Sequence, residues 1–284
     1  MTLASQNAIV GIQNEVTFDE PTHTYTLDGI CAPISVTGLL GKCFEEFDAV
    51  KVVEKYFDNW KRRGIKYTEI IQSSGSDAEA KESIIDSWEV KKLEACRLGT
   101  EMHAVIEKYL NFEEVCYGEI EVEFDAFLRW EDKVVQSGWS AYRTEVCVCG
   151  LNESGDIVVG GAIDAIYKNK NGEYVLIDWK RTGSAFGPEI DTSFGKYGTG
   201  PAIDIKETSF NKYALQLAIY AKLLFFCTGI SVGDRRFLVR LSGDGYQQID
   251  ASGSHFDAAA DTILLEAGVS TLPDANKPHK KCKF

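Results

Sequence analysis

A chain of 284 residues allows one large domain or two smaller ones. With 44% hydrophobic and 11% aromatic residues it can bury a sizeable core, which excludes global disorder. The net charge of −13 argues against a generic nucleic-acid binder, and no apolar run approaches the roughly 18 residues of a membrane span.

Residues 16–30, VTFDEPTHTYTLDGI, alternate as a β-rich segment with a turn-like Asp28-Gly29, which predicts a short hairpin. Ser35 precedes VTGLL, so a helix capped by Ser35 or Thr37 is expected. Over 44–63 the spacing of Val52, Val53, Tyr56, Phe57 and Trp60 predicts a helix. SSGSDAEA at 73–80 is a loop leading into another. From Ile84 to Leu110 the spacing of Trp88, Leu93, Cys96, Met102, Ile106 and Tyr109 predicts one long helix or two in series, and a further helix covers 119–137.

The character changes near residue 140. YRTEVCVCG, DIVVGGAIDAIYK and GEYVLIDWK are three strands of a meander, separated by LNESG and NKNG. A Gly-rich stretch at 183–204 follows, long for a loop, and is read as either a substrate-clamping arch or an insertion without a role. NKYALQLAIYAKLLFFC (211–227) is a strong helix, RRFLVRLS and YQQID are expected as edge strands, and 255–267 is a last helix. The fold class expected is α/β, a central mixed sheet flanked by helices with a helical N-terminal part. A single domain over 1–284 is expected, mostly helical over 1–137, with the sheet and the 211–227 helix over 138–250 and a helix and tail over 251–284.

Charge is uneven along this order. Residues 67–136 hold 17 acidic and 7 basic side chains, whereas 42–66 hold 7 basic and 5 acidic, and the tail 277–284 has 4 Lys and no acid. A locally basic groove is therefore compatible with the total. Lys61, Arg62 and Arg63 read equally as a solvated helix end or as phosphate contacts. The eight cysteines include no CxxC, which reads as free thiols in a reducing, intracellular compartment. The opening MTLASQNAIV has no basic n-region and no Arg, so neither a secretory signal nor a transit peptide is expected.

One strand ends in charge. In YVLIDWKRT, Asp178 and Lys180 are two apart, so they share a face, and Asp164 on the preceding strand can converge with them. Carboxylates brought together repel and raise each other's pKa unless a cation joins them, and Mg²⁺ suits a few carboxylates plus water. A lysine beside such a cation is placed to orient or deprotonate an attacking water, or to stabilise charge on a phosphorane-like transition state.

GGAID followed by DWK resembles the PD-(D/E)xK nuclease superfamily. RLGTEMHAVIEKYL (97–110) resembles the GTxxH helix of its RecB-type branch, and YALQLAIYAKLL (213–224) the QxxxY helix. By pattern the chain is most similar to the mitochondrial genome maintenance exonucleases and related viral and phage proteins, over roughly residues 22–240. The resemblance implies a restriction-endonuclease-like core and a metal-dependent nuclease of DNA repair, replication or recombination. It implies that His103, Asp164 and Asp178 hold Mg²⁺ or Mn²⁺, with the Trp179 carbonyl as a further ligand, and that Lys180 is the catalytic lysine. Gln216 and Tyr220 would support the site and contact DNA, with Arg181, Thr182 and Ser35 also on the DNA side; Glu145 matches an acidic position often present there. Only Cys227 and Cys282 lie beyond Lys180, too few for the iron–sulfur cluster of some members, so none is expected.

Each residue alone has a plainer reading. Asp-x-Lys is commonly a solvated pair, His103 a packed or capping histidine, Gln216 a surface amide, Tyr220 core, and Glu145 a cross-strand partner of Arg143. The conjunction of motifs favours an exonuclease acting on single-stranded DNA ends. The alternatives are a structure-specific endonuclease, a duplex-DNA recombination exonuclease, a nuclease of RNA, and a catalytically silent scaffold for a protein partner. No oligomer interface is legible.

Overall fold

In the computed structural model, residues 2–9, 11, 15–64, 66–184 and 186–270 are described. In chain order the elements are α1 (Leu3–Gln6), β1 (Val16–Asp19), β2 (Thr24–Leu27), β3 (Ile30–Cys31), α2 (Val36–Cys43), α3 (Ala49–Arg63), α4 (Thr68–Ser73) and α5 (Asp77–Leu110). Then come α6 (Glu121–Gln136), β4 (Trp139–Leu151), β5 (Ile157–Asn169), β6 (Tyr174–Arg181), α7 (Ser209–Thr228), β7 (Arg236–Ser242), β8 (Gly245–Asp250) and α8 (Ser254–Glu266). The class is α/β, with a five-stranded mixed sheet flanked by helices and a helical N-terminal part. The chain, expected as one domain, divides into two compact units, Met1–Glu45 with Met102–Phe284, and Glu46–Glu101. The lysine-rich tail 277–284 and Cys282 lie outside the described residues.

The sheet of the larger unit runs β4-β5-β6-β7-β8, antiparallel except that β6 and β7 are parallel. YQQID, in β8, lies at one border and β4 at the other, so RRFLVRLS, in β7, is an interior strand and not the expected edge. Its near-continuous apolar run, Phe237-Leu238-Val239, is what a parallel strand covered on both faces requires. Successive residues of β6 divide the two sides. Trp179 meets Trp130 and Phe127 of α6, while Lys180 reaches Tyr213 of α7. The main core packs Leu176 and Leu238 with Leu215, Ile219 and Leu223 of α7 and Ile263 of α8.

The residues 16–30 form three short strands. Asp28 and Gly29, both with positive φ (51° and 78°), turn β2 into β3, while β1 pairs β2 around residues 20–23. Ser35 caps α2 by accepting from the Gly38 N–H at 3.0 Å. Gly160 and Gly161 on β5 are required by close approach: a Cβ would stand 2.4 Å from Tyr25 Cβ at the first and 2.6 Å from Tyr220 Cε1 at the second.

In the smaller unit, Asp48 caps α3 and Gly64, at φ 60°, ends it. Val53 and Phe57 bury against Ala80 and Ile84 of α5, whereas Tyr56 is 40% exposed. The short α4 was not expected from the sequence. The long helix expected over 84–110 is one helix beginning at Asp77, and of its apolar stripe Met102 and Ile106 are buried while Leu93 and Cys96 are exposed. Cys31, Cys43, Cys96, Cys116, Cys147, Cys149 and Cys227 are free thiols. Among the described residues no helix is long and apolar enough to cross a membrane.

Candidate active site

The site lies where two strands part. The β5–β6 ladder ends at Ala165↔Ile177, and beyond it β6 continues to Arg181 paired only with β7. The Trp179 N–H, freed from that ladder, donates to Asp164 Oδ2 at 3.0 Å. A buried backbone donor needs a partner, and here a carboxylate supplies it. The Trp179 carbonyl points to α5 and lies 3.0 Å from His103 Nε2. A carbonyl only accepts, so this bond requires the proton on Nε2. That leaves the lone pair on Nδ1, which stands 3.4 Å from Asp164 Oδ2.

Across the other edge of β5, the register Thr144↔Ala165 and Val146↔Ile163 brings Glu145 opposite Asp164. Glu145 has φ 45°, a left-handed conformation that costs a non-glycine residue about 1–3 kcal/mol. One ligand atom each from His103, Glu145 and Asp164 lie within 4.8 Å of one another. This set, one imidazole and two carboxylates, fits a divalent cation with oxygen and nitrogen ligands. It holds two members of the expected set, His103 and Asp164, together with Glu145. Asp178, expected as a ligand, is buried with its Oδ2 engaged by Lys180 Nζ at 2.7 Å and lies near enough for Asp164 and His103 to act on its carboxyl. The Trp179 carbonyl, expected as a ligand, holds the His103 ring.

Electrostatics follow from the crowding. Burial, and then Asp164, push the Asp178 carboxyl up to about 6 against the opposing pull of Lys180. For Lys180 burial acts downward, but Asp178, Asp164 and Tyr213 outweigh it and hold the ammonium above the ordinary lysine range. Lys180 is therefore a charged donor, seated 4.4 Å above the Tyr213 ring. Loss of water on its inner side, then the charges of Asp164, Glu107 and Asp178, push the Glu145 carboxyl upward. Glu145 as a residue is exposed, and its solvent-facing side limits that push.

On α7, Tyr213, Gln216 and Tyr220 share one face, and Gln216 Nε2 donates to the Tyr220 hydroxyl at 3.2 Å. Tyr220 is buried against Gly161, and burial, Tyr25, Asp164 and Asp178 raise its hydroxyl pKa. The residues expected on the DNA side are less free. Arg181 Nε pairs with Glu123 Oε1 at 2.9 Å, the Thr182 carbonyl accepts from Arg240 Nε at 2.9 Å, and the Ser35 hydroxyl is spent on its cap. The stretch 183–204 is tied down: Thr199 N–H donates to the Cys43 carbonyl at 2.8 Å, Gly198 N–H to that of Ile205 at 2.9 Å, and Phe186 is buried, while Phe194 is 96% exposed.

Three neighbours of the site were not expected from the sequence. Glu107 lies one helical turn from His103, a spacing that could have flagged it. Tyr213 lies one turn before Gln216, and the same stripe could have found it. Tyr25, whose hydroxyl pKa is raised by burial first and then by Cys147, Glu145 and Asp164, has no local signal beyond strand alternation.

No protein-family model matches the chain, and no curated protein matches it. The solved structures similar to it include one described as the crystal structure of SSO0001, with a TM-score of 0.29 and 22% identity over 52% of this chain. The chain spans 62% of that protein. An overlap so slight carries no argument, and the reading of the site rests on its own residues.

Proposed function

We propose that this chain is a divalent-cation-dependent deoxyribonuclease that hydrolyses phosphodiester bonds, acting as an exonuclease on single-stranded DNA ends. The observation that supports it is the convergence of His103, Glu145 and Asp164 within 4.8 Å beside a half-buried, charged Lys180. His103, Glu145 and Asp164 would hold Mg²⁺ or Mn²⁺, which supplies Lewis acidity at the phosphoryl oxygens.

The chain's own groups do the rest. Lys180, held as an ammonium, donates to a non-bridging phosphoryl oxygen and orients the water that attacks phosphorus; it is not the base. Water oxygen bonds to phosphorus and gives up one proton to bulk solvent, the P–O bond to the departing nucleotide breaks with its electron pair going to the leaving oxygen, and that oxygen takes a proton from solvent. Asp178 fixes the ammonium, and Tyr213 screens it from below. His103 is aimed by the Trp179 carbonyl, and Asp164 by the Trp179 N–H, so the backbone of one residue positions both side chains. The choice of single-stranded ends and of the exonuclease mode comes from the resemblance of the motifs.

The test is degradation of end-labelled single- and double-stranded DNA, linear, circular and end-blocked, with Mg²⁺, Mn²⁺ or chelator. Stepwise loss of label from linear single strands only with cation is expected, and Lys180→Ala abolishes it. Undiminished cleavage by Lys180→Ala removes the mechanism. Cleavage of circles makes the enzyme an endonuclease, and DNA binding without cleavage makes it a silent scaffold.

A further inference from the structure

The helix α3 carries five basic and two acidic residues in a chain whose net charge is −13. Some of its cations are neutralised locally: Lys51 pairs with Asp48 at 3.2 Å and Lys61 with Asp77 at 2.6 Å. Lys55, Arg62 and Arg63 form no ion pair with the described residues. Arg62 reaches only the Asn59 side chain, at 3.4 Å, and Lys55 lies 5.2 Å over the Tyr56 ring.

Aromatic rings adjoin these cations. Lys55, Tyr56, Asn59, Trp60 and Arg63 share one stripe of α3 by their spacing. Tyr56 stacks on Trp60 (centroids 6.1 Å apart, planes at 25°), Trp60 meets Trp88 at 6.2 Å, and Trp88 meets Phe47 at 5.8 Å. The strip is continuous, yet Phe47 is 68% and Tyr56 40% exposed at its two ends. The core of this unit is built from Val53, Phe57, Ala80 and Ile84 and does not need those two rings.

We propose that the 46–101 unit is a docking face for single-stranded DNA, with bases stacking on Tyr56 and Phe47 and phosphates meeting Lys55, Arg62 and Arg63. Every base has a π-face, but only an unpaired strand offers it to a protein ring, and the cations beside the rings are opposite in sign to the phosphates of such a strand. An acidic peptide would satisfy the cations and leave the rings unused. The choice of DNA rests on the cleavage reading above.

The experiment is fluorescence anisotropy of an end-labelled oligothymidylate with the full chain in chelator, so that no cleavage intervenes. Tyr56→Ala should weaken binding about tenfold, the loss of one stacked base, and Tyr56→Phe should restore it. Arg63→Ala should weaken binding and flatten its log–log salt dependence by about 0.7, whereas Lys51→Ala, which removes a paired cation, should leave both unchanged. Wild-type affinity in Tyr56→Ala overturns the proposal, as does equal competition by polyglutamate or by duplex DNA, or no binding by the wild type. If Tyr56→Ala binds normally while cation-dependent cleavage is intact, this inference fails and the nuclease reading stands. If binding depends on Tyr56 but no cation elicits cleavage, the reverse holds.

Discussion

The two sides of β6 are one residue apart and built on opposite principles. On the α6 side, Trp179 is 2% exposed and meets Phe127 and Trp130 at near-perpendicular ring angles, a packing that stabilises through area and shape. On the α7 side, Asp178 and Lys180 sit among carboxylates that raise one another's pKa, an arrangement that a folded chain gains nothing from by itself. The difference teaches that strand alternation lets a single segment anchor the sheet with one side chain and hold strained electrostatics with the next. The stable side makes the costly side tolerable.

Substitutions on each side should separate the two roles. Trp179→Ala should cost the most stability, about 3–5 kcal/mol by removing a buried indole, read as a lower midpoint in urea unfolding. Because the His103 tether is the Trp179 backbone carbonyl, cation binding by the surviving folded fraction should persist; its loss would mean that the indole itself holds the site in place. Lys180→Ala should do the opposite. The fold is kept, while cleavage falls by roughly 100-fold or more, the worth of one oriented charge at a transition state; full activity would end the proposed mechanism.

Glu145→Gly sharpens the contrast further. Glycine adopts the φ of 45° without the Cβ penalty and removes a crowded carboxylate, so the cation-free protein should gain about 1 kcal/mol. The same variant should lose the rise in melting temperature that Mn²⁺ gives the wild type. A destabilised variant that still responds to Mn²⁺ would show that Glu145 is structural. The smallest effect concerns pH. Asp178 is raised from 3.8 to about 6 in the folded chain, so it holds its proton more tightly than when unfolded. Its stabilising contribution is present below the unfolded value and is lost as pH rises through about 6. In chelator, the melting temperature of wild type relative to Asp178→Asn should fall across that window and level off above it; a flat difference would mean that Asp178 is not crowded as described.

The legible parts of this molecule were those with local cause. The strands β4, β5 and β6 announce themselves by alternation between Asn- and Gly-rich turns, and Ser35 by its place before an apolar run. The interior position of β7 was missed because parallel pairing is a long-range fact, although Phe237-Leu238-Val239 hinted at two covered faces. Leu93 and Cys96 fit a helical period but face water, since period says which residues share a side and not whether anything packs there. At the site, the nearness of His103, Asp164 and Lys180 to one another was legible through their motifs. The nearness of Glu145 to His103 and Asp164 depends on a backbone dihedral and on the parting of β5 from β6, neither of which is written in a local pattern.

Gly160 and Gly161 carry a consequence beyond their own packing. With Tyr25 pressed on one and Tyr220 on the other, the N-terminal hairpin and the α7 helix bear directly on the strand that a few residues later presents Asp164. No methyl group fits between, so the chain has no slack there in which to absorb a change. A single alanine at either glycine would act as a shim, shifting the strand and detuning a carboxylate it never touches, so the proposed cleavage would be lost before the protein itself comes apart.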